Sequence, residues 1–154
     1  MITIKTILVP TDFSELSKVA LPYAVDLAKK YGAKIVIFHV FDEELLSPIF
    51  FEAGGKAEEY FNRLRNNFDS AVEQFLDGID TGDLEIESHL ANGSPFVEIL
   101  RYVKENGVDL VVMGTHGRSG VAHAFLGSVT EKVMRKSPAP VMIVRHPEME
   151  FKIV

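Results

Sequence analysis

Residues 34–40 read KIVIFHV and residues 109–114 read DLVVMG. Apolar, β-branched runs this short and this continuous leave no polar side for solvent, which is the pattern of strands covered on both faces. Three further runs, Ile4–Val9, Leu84–Leu90 and Val141–Val144, are also rich in β-branched and apolar residues. The spacing between them turns helical. Leu16, Val19, Ala20, Tyr23, Ala24, Leu27, Ala28 and Tyr31 recur every three or four residues, with Ser14 as N-cap and Gly32 as C-terminal cap. Pro22 inside that pattern removes one backbone bond and predicts a bend near Lys18. A second helix is marked by Tyr60, Phe61, Leu64, Phe68, Ala71, Val72, Phe75 and Leu76. A third has Pro95 in its first turn and Ile99, Leu100 and Val103 facing inward. The fourth runs from about Ser128 to Lys136 and stops before Ser137-Pro138. Strand and helix alternate throughout, so the chain reads as an α/β domain: a doubly wound, five-stranded parallel sheet of flavodoxin/Rossmann type with helices on both faces.

Composition narrows the function. With 154 residues, 47% hydrophobic and 25% charged, the chain suits one globular domain. The absence of cysteine excludes disulfides, thiol catalysis and Cys-ligated metals. A net charge of −6 with no basic cluster lacks the footprint of a nucleic-acid binder. The start, MITIKTILVPTDFSE, reads as a strand and not as a leader, and no apolar run is long enough to span a bilayer, so a cytoplasmic protein is expected.

In open parallel sheets, ligands bind beyond the carboxyl ends of the strands where strand order reverses. Three segments are nominated: Pro10-Thr11-Asp12, Val40-Phe41-Asp42, and the glycine-spaced stretch after the fourth strand. Residues 113–131 of that stretch read MGTHGRSGVAHAFLGSVTE. It is neither a P-loop, for no Gly-Lys-[Ser/Thr] occurs, nor a Rossmann turn, for no two glycines stand two apart. Instead it offers two separated sets of backbone donors, Gly114 to Arg118 and Gly127 to Thr130, across which a phosphate chain could lie. Plainer readings stand beside this one. Ser128 and Glu131 have the spacing of a capping box. Asp12 is open to three roles: accepting from sugar hydroxyls, ligating Mg²⁺, or capping the next helix. His116 is either a phosphate donor or a solvated loop histidine. The five histidines lack zinc-site spacing, and Gly117-Arg118-Ser119-Gly120 is not a nucleophile elbow.

These residues together resemble the universal stress protein family, in its ATP-binding branch. The likeness runs from ILVPTDFSE through KIVIFHV and Gly93-Ser94-Pro95 to APVMIVR, and its most specific element is Gly-x2-Gly-x9-Gly-[Ser/Thr], met by Gly114, Gly117, Gly127 and Ser128. The resemblance implies an adenine-nucleotide-binding fold with adenine near Pro10 and Val40 and adenosine near Thr11 and Asp12. Met113 and Gly114 would line the pocket. The triphosphate of ATP, with Mg, would lie along His116, Gly117, Arg118, Gly127, Ser128, Val129 and Thr130. It further implies a nucleotide-responsive stress regulator, homodimeric through Val141, Met142, Ile143 and Val144. An uncovered apolar strand at a sheet edge fits such a contact.

The expected domain spans 1–146, with 147–154 as a tail at the subunit contact. The connection 41–56 carries Leu45, Leu46, Ile49, Phe50 and Phe51, and either covers a site, meets a partner, or folds back on the core. Two other functions are open: a slow Mg-dependent ATP hydrolase, for which no water-activating base is evident, and a nucleotide-independent interaction module.

Overall fold

The computed structural model describes residues 1–42, 56–116 and 126–147, together with 48, 52 and 54. Five strands form one sheet: β1 (Thr6–Pro10), β2 (Lys34–Phe41), β3 (Ile86–Asn92), β4 (Leu110–Gly114) and β5 (Val141–Val144). The spatial order is β3-β2-β1-β4-β5 and every pairing is parallel. Order therefore reverses between β1 and β4. The register shows the two strands parting there: β1 pairs with β2 as far as Pro10↔Phe38, but with β4 only at Ile7↔Leu110 and Leu8↔Val111. At the opposite end Asp109 fastens them, its carboxylate accepting from the Lys5 and Thr6 N–H groups at 2.7 and 3.0 Å.

The helices are α1 (Glu15–Lys18), α2 (Ala20–Tyr31), α3 (Ala57–Leu76), α4 (Pro95–Glu105) and α5 (Ser128–Lys136). Side-chain alternation along the strands sends them to two cores. Ile7, Val9, Ile35, Ile37 and Val112 pack with Ala20, Leu21, Ala24 and Ala28 of α2 and with Phe68, Val72 and Phe75 of α3. Leu8, Val36, Phe38, Val111 and Met113 pack on the other face with Ile99 and Val103 of α4 and Val133 of α5. Central strands are thus buried on both sides, as their unbroken apolar runs predict.

Local chemistry sets the helix ends. Ser14 caps α1, accepting from the Ser17 N–H at 3.2 Å, and Gly32 closes α2 in the left-handed region at φ 66°. The interruption that Pro22 predicts falls at Val19, next to Lys18. Val19 keeps helical angles (φ −58°, ψ −23°), and Pro22 becomes the third residue of α2, where no N–H is required. One expectation is corrected. Ser128 is the first residue of α5 and not its cap; Gly127 occupies the cap position, and Glu131 pairs with Arg135 at 2.9 Å instead of reaching back. Two strands also sit slightly later than expected: β1 starts at Thr6, and β3 at Ile86 after a turn in which the Leu84 N–H donates to Thr81 O at 3.2 Å.

Candidate functional site: the crevice between β1 and β4

Where β1 and β4 part, a cavity of about 440 Å³ opens. Its first wall is the turn after β1. Thr11 continues the ladder, donating its N–H to Phe38 O at 2.9 Å, while its own carbonyl meets His39 Nδ1 at 2.8 Å. A carbonyl only accepts, so Nδ1 carries the proton. Asp12 Oδ1 accepts from the Ser14 N–H at 3.0 Å and from the Ser14 hydroxyl at 2.6 Å. Asp12 thus secures the cap residue of α1 and is not itself the cap.

The opposite wall comes from the end of β4 and the start of α5. His116 is 3% exposed, with Nδ1 3.1 Å from Thr115 Oγ1, which removes the solvated-loop reading. Gly127 donates its N–H to Thr115 O at 2.7 Å. Having no side chain, it leaves the N–H groups of Ser128, Val129 and Thr130 without a capping acceptor, at the positive end of the helix. The Thr130 hydroxyl is buried and donates to Gly114 O at 3.0 Å, tying α5 to β4.

The glycines at this wall answer first to the chain. A Cβ at Gly114 would stand 2.6 Å from Leu16 O, inside any permissible contact, because α1 crosses the end of β4 there. At Gly127 a Cβ would meet Thr115 O at 3.3 Å. These two positions are small so that β4, α1 and α5 can converge.

Pro10, Thr11, Asp12, Val40, Met113, Gly114, His116, Gly127, Ser128, Val129 and Thr130 all line this one cavity. Gly117 and Arg118 lie outside the described residues, as do most of the 41–56 connection and the tail from 148 on. Sequence reasoning missed Ser17, Phe38, His39, Pro95 and Ile99, which complete the lining. Alternation in β2 was the available signal: Phe38 follows Val36 to one face and His39 follows Ile37 to the other. By sequence Pro95 and Ile99 are helix signals alone, yet the start of α4 closes the cavity from the second face.

The lining divides by chemistry. Pro10, Phe38, Val40, Ile99 and Met113 offer an apolar surface, Asp12 and Asp42 contribute carboxylates, and the α5 start contributes backbone N–H donors beside the buried His116 ring. Among the described residues no cluster of three His, Asp or Glu could hold a metal by itself, and no helix is long and apolar enough to cross a membrane.

The sequence pattern of the universal stress protein family matches residues 3–145. The chain is 32% identical over 154 residues to universal stress protein MJ0577 of Methanocaldococcus jannaschii, covering 92% of this chain and 94% of that one. It is 36% identical over 143 residues to universal stress protein YxiE of Bacillus subtilis, covering 90% and 97%. The solved structure of MJ0577 superposes with a TM-score of 0.74 over 95% of this chain and 99% of that chain, at 28% identity. A universal stress protein solved in complex with cAMP superposes with a TM-score of 0.65 over 93% and 98%, at 25% identity. The α/β fold is accordingly shared with solved universal stress proteins, and the chain belongs to the universal stress protein family.

Proposed function

We propose that the protein binds ATP in the crevice between β1 and β4 and acts as a cytoplasmic homodimer whose contacts respond to the nucleotide. The observation that carries this reading is the division of one cavity into an apolar compartment and an uncapped helix start. A purine suits the first and a phosphate chain the second. A relative in complex with cAMP supports an adenine nucleotide as the class of ligand. Asp12 would accept from sugar hydroxyls, and the triphosphate would extend along His116, Gly117 and Arg118 to Gly127–Thr130. Each charge-assisted bond contributes on the order of 1.5–3 kcal/mol. A few of them suffice for micromolar affinity, about −8 kcal/mol. Mg²⁺ would arrive on the phosphates, since it keeps most of its waters and needs few protein ligands. The domain over 1–146 would dimerise through β5, with the tail 147–154 at the contact.

The test is to denature the purified protein, identify any released nucleotide, and titrate the refolded apoprotein calorimetrically with ATP and cAMP, with and without Mg²⁺. ATP release or micromolar ATP binding is expected; absence of both overturns the reading, and preference for cAMP overturns the triphosphate placement. Gly117→Val should weaken ATP binding at least about tenfold in a folded protein, because a side chain there fills the phosphate path. Unchanged affinity would remove Gly117 from the site.

A further inference from the structure

Within the crevice wall that carries Asp12 lies a buried row of hydroxyls whose proton directions follow by elimination. Ser17 Oγ stands 2.9 Å from Ser14 O, which only accepts, so the single Ser17 hydroxyl proton goes there. Thr11 Oγ1, 2.7 Å from Ser17 Oγ, must then donate to it. The Phe13 N–H donates to Thr11 Oγ1 at 2.8 Å. Ser17 and Thr11 are 5% and 8% exposed, so water does not compete for these bonds.

This relay ends on an unusual backbone. Phe13 has φ 63°, the one non-glycine residue with positive φ among the described residues. The left-handed region is costly for a bulky side chain and persists only where its surroundings over-determine it. Here they do so twice. The relay holds the N–H, and the ring is lodged against His39, Phe75 and Phe68 at centroid distances of 4.9, 5.7 and 6.0 Å. Asp12 is caught between these constraints, with Oδ1 bonded to Ser14 on one side and Phe13 turned left-handed beside it.

We infer that Ser17 is a positioning residue for the nucleotide: its hydroxyl, acting through Thr11 and the left-handed Phe13, sets where the Asp12 carboxylate stands in the crevice. The inference rests on the nucleotide site proposed above, with the sugar hydroxyls as the groups Asp12 receives. It is tested by a double-mutant cycle read by ATP calorimetry with Mg²⁺ on the wild type, Ser17→Ala, Asp12→Ala and the double variant. Ser17→Ala is expected to weaken ATP binding about tenfold alone and less than about twofold when Asp12 is already Ala. An equal loss in both backgrounds, or no loss in either, overturns the positioning role. Amide exchange on the nucleotide-free protein reads the relay without ligand. The Phe13 amide should exchange at least about tenfold faster in Ser17→Ala, and unchanged exchange overturns the inference. Wild-type protein that binds no ATP while Phe13 exchange accelerates in the variant sinks the nucleotide reading and the positioning role but leaves the relay standing. If Ser17→Ala does not fold, Thr11→Ser and Thr11→Val replace it. The hydroxyl-bearing variant should keep Phe13 protected and the isosteric valine should not, and equal protection overturns the relay.

Discussion

Gly114 shows how a residue can carry one meaning in a sequence pattern and another in the folded chain. In the glycine spacing it reads as a phosphate donor. In the structure its missing side chain is what lets the Leu16 carbonyl approach to where a Cβ would be 2.6 Å away. Gly114→Ala is therefore expected to lower stability by about 1–3 kcal/mol through overpacking of α1 against β4. Urea denaturation in the absence of nucleotide measures this, and an unchanged midpoint would show that α1 yields at no cost. Ser128 and His116 carry the same lesson. The capping-box spacing was present, but a cap needs extended backbone at the right residue, and Gly127 took that place at ψ 155°. His116 sits in a loop by sequence, yet burial against Thr115 and Gly127 depends on where α5 returns, which no local pattern encodes.

Elements were the most legible level, because strand and helix periods are local properties of the chain. Among the described residues the five strands were readable, and four helical patterns cover the five helices, the first pattern dividing into α1 and α2 next to Lys18. The strand edges were less so, since they depend on partners: β3 is stitched to β2 by Lys34, whose Nζ meets Glu87 Oε1 at 2.9 Å. That hydrogen bond raises the Lys34 ammonium above its ordinary value and lowers the Glu87 carboxyl below its own. The signs fix the window. The Glu87 contribution is present above its ordinary value of 4.5 and is lost as pH falls through the lowered one. The Lys34 contribution is present below 10.5 and is lost as pH rises through the raised one. Glu87→Gln should bring the Lys34 titration back down, read from its side-chain resonances by NMR. Burial lowers the Lys34 value while Glu85 and Tyr102 raise it, so the downward direction of the move is the outcome that is read. A titration that does not move would show that the carboxylate is not the cause.

At the scale of the molecule, periodicity says which segments are strands and nothing of their neighbours, so strand order is not legible in the sequence. The observed order gives the sheet two unlike rims. On β3 the Lys34–Glu87 pair marks a charged border, whereas β5 reads Val141-Met142-Ile143-Val144. Val141 and Met142 lean on the two cores and Val144 is buried, while Ile143 remains half-buried. In a homodimer formed through β5, Ile143 would face the partner copy, so Ile143→Lys should yield a monomer by sedimentation velocity with ATP affinity unchanged from wild type. A dimer that survives this charge would place the contact elsewhere. The tilt of Phe13 has a consequence for kinetics. Because its ring is lodged among Phe68, Phe75 and His39, one wall of the crevice is finished when the chain finishes folding. A ligand arriving there finds no coil to organise on that side. Its capture should proceed as a single bimolecular step, linear in ligand concentration, with selectivity expressed in how long it stays.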